Sequence, residues 1–159
     1  MELVFAPRDI LQIDNARIVY RNFSGEASKF NREGERNFGL VIPTEELADE
    51  LIARGWNVKV KPPRDEGDEP FMTLAVKVKF NSRGPRIHLR SGRNRRILNE
   101  DTVSLLDDID IRNVNMDIRP YDWEVNGKTG RTAYLQAMEI EQEVDRFEAR
   151  YAEEEYPED

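Results

Sequence analysis

Cysteine is absent from this sequence, and histidine occurs once, at His88. The first absence removes disulfides, thiolate zinc sites and cysteine nucleophiles together, and it fits a reducing compartment. The second leaves no imidazole-rich metal site within one chain. Long hydrophobic runs are missing too: nowhere do about 18 apolar residues follow one another. The start, Met1 to Ile10, lacks the basic stretch and apolar run of a secretory signal. The expectation is a soluble, cytoplasmic protein without a membrane association, in which the Asn22-Phe23-Ser24 sequon carries no sugar.

What is abundant is charge, unevenly placed. Charged residues make up 35% of the 159 positions, and the formal net charge is −8. Between Lys59 and Arg96 eleven basic side chains stand against four acids, a local balance of +7. From Glu139 to Asp159 ten acids meet only Arg146 and Arg150, so this end alone carries the whole net charge of −8. A basic middle suits a polyanion, and an acidic end can compete for that surface or recruit a basic partner. The length suits one domain with a sizeable core. We expect residues 1–140 to form that domain and residues 141–159 an acidic tail, partly helical or flexible.

The apolar pattern is mostly that of strands. Ala16 to Phe23 alternates and ends at Ser24-Gly25, with Ile18 and Tyr20 on one side and Arg17, Val19, Arg21 and Phe23 on the other. Asn37 to Ile42 is a second strand. Thr44 caps a helix with Glu45 and Glu46 in its first turn, and Gly55 stops it. Trp56, Val58 and Val60 then alternate with Asn57, Lys59 and Lys61. In Phe71 to Asn81 the row Met72, Leu74, Val76, Val78 and Phe80 is apolar, whereas Lys77 and Lys79 share the other side with Phe71. Arg86, His88 and Arg90 alternate with Ile87 and Leu89. Asn99 to Leu106 reads as a short helix, and Ile109 to Trp123 as one long or two short strands. Asn126-Gly127 signals a hairpin into Arg131 to Ile140, with Tyr134, Met138 and Ile140 in phase. Short strands with one or two inserted helices fit a mainly β protein, a small closed or nearly closed barrel of the OB type, with another β-rich α+β fold as the alternative.

Cations two residues apart on a strand project from one side, so Lys59 with Lys61, Lys77 with Lys79 and Arg86 with Arg90 would form a stripe on three adjacent strands. Such a stripe matches a phosphate backbone, and exposed rings can stack on unpaired bases. Outward charge on ordinary strands explains the same residues, although the excess of one sign favours binding. The candidate nucleic-acid contacts are Lys59, Lys61, Phe71, Lys77, Lys79, Arg86, His88, Arg90, Arg93, Arg95, Arg96, Tyr121, Trp123, Lys128 and Arg131. Phe23, in phase with Arg17 and Arg21, is a further ring to consider, while Trp56 and Phe80 belong to the core. No catalytic residue, metal or cofactor is expected. Gly127-Lys128-Thr129 ends like a phosphate-binding loop, but the required upstream glycine position holds Asp122. Asp107, Asp108 and Asp110, like Asp65 to Glu69, lack the spacing of a calcium loop.

Three stretches are similar to a known family: Phe30-Asn31-Arg32-Glu33-Gly34-Glu35-Arg36-Asn37-Phe38, Gly55-Trp56-Asn57-Val58-Lys59-Val60-Lys61-Pro62-Pro63, and Arg119-Pro120-Tyr121-Asp122-Trp123-Glu124-Val125-Asn126-Gly127-Lys128. They resemble single-stranded-DNA-binding proteins of tailed bacteriophages. The resemblance implies an OB-fold core, an acidic C-terminal tail and a non-catalytic role in phage DNA replication or recombination. The tail would then meet replication or recombination proteins in the host cytoplasm. Many tails of that family finish in an aromatic residue, whereas this one finishes Tyr156-Pro157-Glu158-Asp159. A phage structural or assembly protein and a metal-dependent nuclease are the alternatives.

Overall fold

The computed structural model describes residues 1–147; the expected tail lies, from residue 148 onward, outside them. In chain order the elements are β1 (Glu2–Phe5), β2 (Leu11–Ala16), β3 (Ile18–Asn22), β4 (Arg36–Val41), α1 (Glu45–Ala53), β5 (Val58–Lys61) and β6 (Phe71–Val78). There follow β7 (Arg86–Ser91), β8 (Asn94–Leu98), a 3-10 turn over Val103–Asp107, β9 (Ile111–Val125) and β10 (Lys128–Gln142). The helix expected over Asn99 to Leu106 is that 3-10 turn. The segment Ile109 to Trp123 is a single long strand, and Asn126 and Gly127, both at positive φ, make its two-residue turn into β10.

The hydrogen-bonded order is β1-β2-β9-β10-β6-β4-β3, with β5 on β6, β7 on β10 and β8 on β7. As a ladder the sheet is open. Only Arg17 separates β2 from β3, however, so the two are one bent strand that pairs with β9 at its start and with β4 at its end. Five lanes thereby close on themselves: β2 with β3, then β4, β6, β10 and β9. The contact of β10 with β6 is parallel, and the other pairings around the ring are antiparallel. This is the Greek-key circuit of an OB barrel.

The core fills the barrel with the inward row of each lane: Phe38 and Leu40 of β4, Leu74 and Val76 of β6, Met116 and Ile118 of β9, Leu135 and Met138 of β10. Trp56 is buried with them, although Val60, in phase with it, is exposed. α1 begins where the Thr44 hydroxyl accepts the amide N–H of Leu47 at 3.2 Å, and it buries Ala48 and Leu51.

Two irregularities reset the alternation. In β3 the register shifts between Val19 and Asn22, and Tyr20 takes φ 54°. A bulge there turns the next residues by one position. Phe23, read from the sequence as a possible outward ring, is fully buried and stacks on Phe38 at 5.4 Å between centroids, whereas Tyr20 faces solvent. In β10 the register shifts between Leu135 and Ala137, so Tyr134 points out although Met138 and Ile140 point in.

Candidate nucleic-acid interface

Register decides which side chains share the outer face of the barrel, because directly paired residues point the same way. Gly39 of β4 lies between Val19 and Ala75, Asn37 lies opposite Lys77, and Lys77 lies opposite Tyr134, which in turn pairs with Arg119. Lys61 pairs with Phe71 and Lys59 with Thr73. Tyr121 pairs with Thr132, and Trp123 with Gly130. One face therefore carries Lys59, Lys61, Lys77 and Arg119 among five rings: Tyr20, Phe71, Tyr134, Tyr121 and Trp123. Lys79 is exposed just beyond the end of β6, and Lys128 at the tip of the β9–β10 hairpin.

Glycine makes room for two of those rings. A Cβ on Gly39 would stand 3.2 Å from Cδ2 of Tyr20, and one on Gly130 would stand 2.6 Å from Cε2 of Trp123. Each ring thus lies over bare backbone with its other side open. Tyr20 is 66% exposed, Tyr121 55% and Trp123 38%. Tyr20 meets Phe71 edge-on at 6.4 Å, Tyr121 meets Tyr134 edge-on at 6.1 Å, and the Arg119 guanidinium lies over Tyr134 at 4.8 Å. Rings held in this way offer base-stacking surface at little cost in side-chain order.

The loop between β3 and β4 stands at one border of this face. Asn31 organises it: its amide Nδ2 donates to the carbonyls of Glu26, Arg32 and Glu35, and its Oδ1 accepts from Asn37 at 2.7 Å. The loop presents Phe30, 90% exposed, with the Lys29 ammonium 5.7 Å from its ring.

The expected stripe on three adjacent strands divides in the structure. β5 and β6 are neighbours, but β7 lies beside β10, on the side that β6 occupies further back, so Arg86, His88 and Arg90 continue the lane of β6. There they stand opposite Ala137, Glu139 and Glu141. Arg95 lies across from Arg90, Arg96 lies across from Leu89, and Arg93 belongs to the turn between β7 and β8.

Arg131 is bound into the protein. Its Nε and Nη2 donate to the two carboxylate oxygens of Asp122 at 2.7 and 3.0 Å, Nη1 donates to the Arg54 carbonyl at 3.0 Å, and Nη2 also donates to Asp9 at 3.2 Å. Its guanidinium covers the Trp56 ring at 5.2 Å. The hydrogen bond from Arg131, followed by its charge, holds the Asp122 carboxyl below the ordinary carboxylate range. A guanidinium so fully committed is a brace and leaves little for a phosphate. Arg21, likewise, donates to the carbonyls of Leu106 and Ile109. Asp107 accepts the amides of Phe23 and Ser24, which gives it a structural task. Among the described residues no group of three or more His, Asp or Glu is placed to hold a metal ion.

Tyr20, Tyr134, Arg119 and Phe30 were not among the candidates from sequence. Bulges concealed the first two, the third shares its strand phase with the candidates Tyr121 and Trp123, and the fourth had only a weak signal, a lone ring in a polar loop.

The solved structures similar to this chain share its fold. The single-stranded DNA-binding protein from bacteriophage Enc34 in complex with ssDNA aligns with a TM-score of 0.55 and 16% identity, covering 91% of this chain and 93% of that one. A second structure of that protein gives 0.55 and 15%, covering 92% and 93%. Its C-terminal truncation gives 0.53 and 15%, covering 90% and 91%. No curated protein sequence matches the chain. Residues 2–158 match the model of the family described as "Putative phage ssDNA-binding domain", and the chain belongs to that family.

Proposed function

We propose that this protein binds single-stranded DNA without regard to sequence and covers it during phage DNA replication or recombination, in the host cytoplasm. One observation carries the reading: five rings and four cations share one barrel face, with two of the rings lying open over glycines. Tyr20, Phe71, Tyr121, Tyr134 and Trp123 stack on bases. Lys59, Lys61, Lys77, Lys79 and Arg119 meet phosphates, Arg86, His88 and Arg90 carry the strand onward, and Lys128 touches it at the hairpin tip. Arg93, Arg95 and Arg96 draw the polyanion by long-range potential. Arg131 serves only by holding the β9–β10 hairpin. The family name describes binding and no reaction, and the chemistry of this face calls for no cofactor. The acidic tail meets replication or recombination proteins.

Trp56 is buried and Trp123 is not, so tryptophan emission reports on the site. Titration with poly-dT at two salt concentrations is expected to quench emission, with affinity falling as salt rises. Duplex at the same concentrations should bind more weakly. Equal affinity for duplex would reduce the site to a generic polyanion surface. Absence of any shift, with salt-insensitive protein association instead, would favour an assembly role. Degradation of the DNA on adding a divalent ion would favour a nuclease.

A further inference from the structure

Four strands pair with only one other strand among the described residues, β1 with β2, β3 with β4, β5 with β6 and β8 with β7, and of these β1 and β8 carry opposite charges beside an exposed aliphatic side chain. An unpaired edge is a template for another strand, and charge is a common means of governing which strand takes it. Here the charges are opposite. On the outer side of β1, Glu2 stands beside Asp14, and on the outer side of β8, Arg95 stands beside Arg90. Each edge also exposes one aliphatic side chain, Val4 at 59% and Ile97 at 68%. Two β8 edges would oppose arginine with arginine, and two β1 edges acid with acid. β8 against β1 brings unlike charges together.

Register sharpens this. Laid parallel, Arg95 falls opposite Glu2 and Ile97 opposite Val4, each residue two places along from the last. Laid antiparallel, Arg95 would meet Val4 and Ile97 would meet Glu2. Only the parallel register matches charge with charge and aliphatic with aliphatic.

We infer that the β8 edge of one copy adds in parallel to the β1 edge of a second copy, joining their sheets head to tail. The occupant is another copy of this chain because both halves of the complementary pair lie on it. The contact joins two different surfaces, so each copy keeps one edge free and the association continues to an open chain or a ring. It goes beyond the DNA reading and stands without it, because none of its residues needs bound DNA.

The test is sedimentation equilibrium of the full chain without DNA over a wide concentration range. Wild type is expected to gain mass steadily with concentration and to do so less at high salt. Glu2→Arg and Arg95→Glu should each weaken association at least about tenfold, a difference of about 1.4 kcal/mol. Combining the two exchanges restores it. Val4→Asn, which leaves charge untouched, should weaken association while preserving affinity for an oligonucleotide long enough for one copy. Circular dichroism confirms that each variant is folded, and Ile97→Asn replaces any that is not. A wild type that remains monomeric, association that stops at a dimer, or a double exchange that fails to restore what the single exchanges lost would overturn the inference.

Discussion

Tyr20 and Phe23 lie three residues apart, and the bulge between them assigns them opposite tasks, which alanine substitution can separate. Tyr20 is 66% exposed and lies over Gly39, so Tyr20→Ala removes a stacking platform without opening a cavity. One lost base stack is worth about 1–3 kcal/mol, or roughly 5- to 150-fold in Kd for poly-dT. Its edge-on contact with Phe71 contributes about 0.5–1.5 kcal/mol to folding, which for a chain of this size lowers Tm by at most about 6 °C. Phe23 is fully buried against Phe38. Phe23→Ala leaves a hole costing about 3–5 kcal/mol, about 6–20 °C in Tm, while affinity measured well below the new Tm stays within about twofold. Differential scanning calorimetry and fluorescence titration on the two variants provide the test. Had the bulge been misread and the alternation run straight, Phe23→Ala would cost affinity with little change in Tm, and Tyr20→Ala would unfold the barrel.

Three other outcomes follow from the same geometry. Each phosphate neutralised on a single strand contributes about −0.7 to the slope of log affinity against log salt. Lys77→Ala should flatten that slope by about 0.7, whereas Arg131→Ala, which removes a brace already bonded to Asp122, Asp9 and Arg54, should lower Tm and leave the slope alone; equal slope changes would refute the distinction. Gly130→Ala puts a methyl where the Trp123 indole lies, so the emission maximum should move and affinity fall by up to about 3 kcal/mol. An unaltered spectrum would contradict the packing. Burial, and secondly the charge of Asp14, raises the pKa of Asp117 above 3.8. The folded state then prefers that carboxyl protonated, so stability falls as pH rises from 3.8 through the raised value. Asp117→Asn should raise Tm at neutral pH, and the gain should vanish below pH 3.8. A gain that persists in acid would show that the charge was irrelevant.

Much of this fold is legible in the sequence because its strands are regular where its core is. Met72 to Val78 alternates without interruption, and of the apolar row Met72, Leu74, Val76 and Val78 are buried while Phe80 packs partly buried against the core. Thr44, Gly55 and Asn126-Gly127 bound their elements where local chemistry says they should. The binding face is less legible for a definite reason. An alternation carries information only until a residue is inserted, and bulges in β3 and β10 each insert one beside a ring. A straight alternation groups Tyr20 with Ile18, Tyr134 with Met138 and Ile140, and Phe23 with Arg17 and Arg21. Strand adjacency is the second gap. Nothing local in Arg86 to Arg90 records that β7 follows β10 instead of β6, nor that Glu139 and Glu141 stand beside it. Arg131 shows a third: its partners Asp9, Arg54 and Asp122 are as far as 122 positions away, so only the folded chain reveals that its charge is already answered.

The same competition for β6 explains why the site has an arm at all. Along its first half β6 is paired on one side by β4 and on the other by β5, through Phe71–Leu74. β10 can reach it only at Val76 and Lys77. Among the described residues the outer half of the β9–β10 hairpin therefore has no third strand, and a two-stranded ribbon alone is marginal in water. What it lacks in ladder it gains from Arg131, which ties Asp122 of β9 to Arg54 and Asp9 and covers Trp56. The ribbon can then hold Tyr121 and Trp123 beyond the barrel without burying them. A ring must be both fixed and uncovered to stack on a passing base, and in this chain the fixing comes from one arginine behind the ribbon and one glycine beneath the indole.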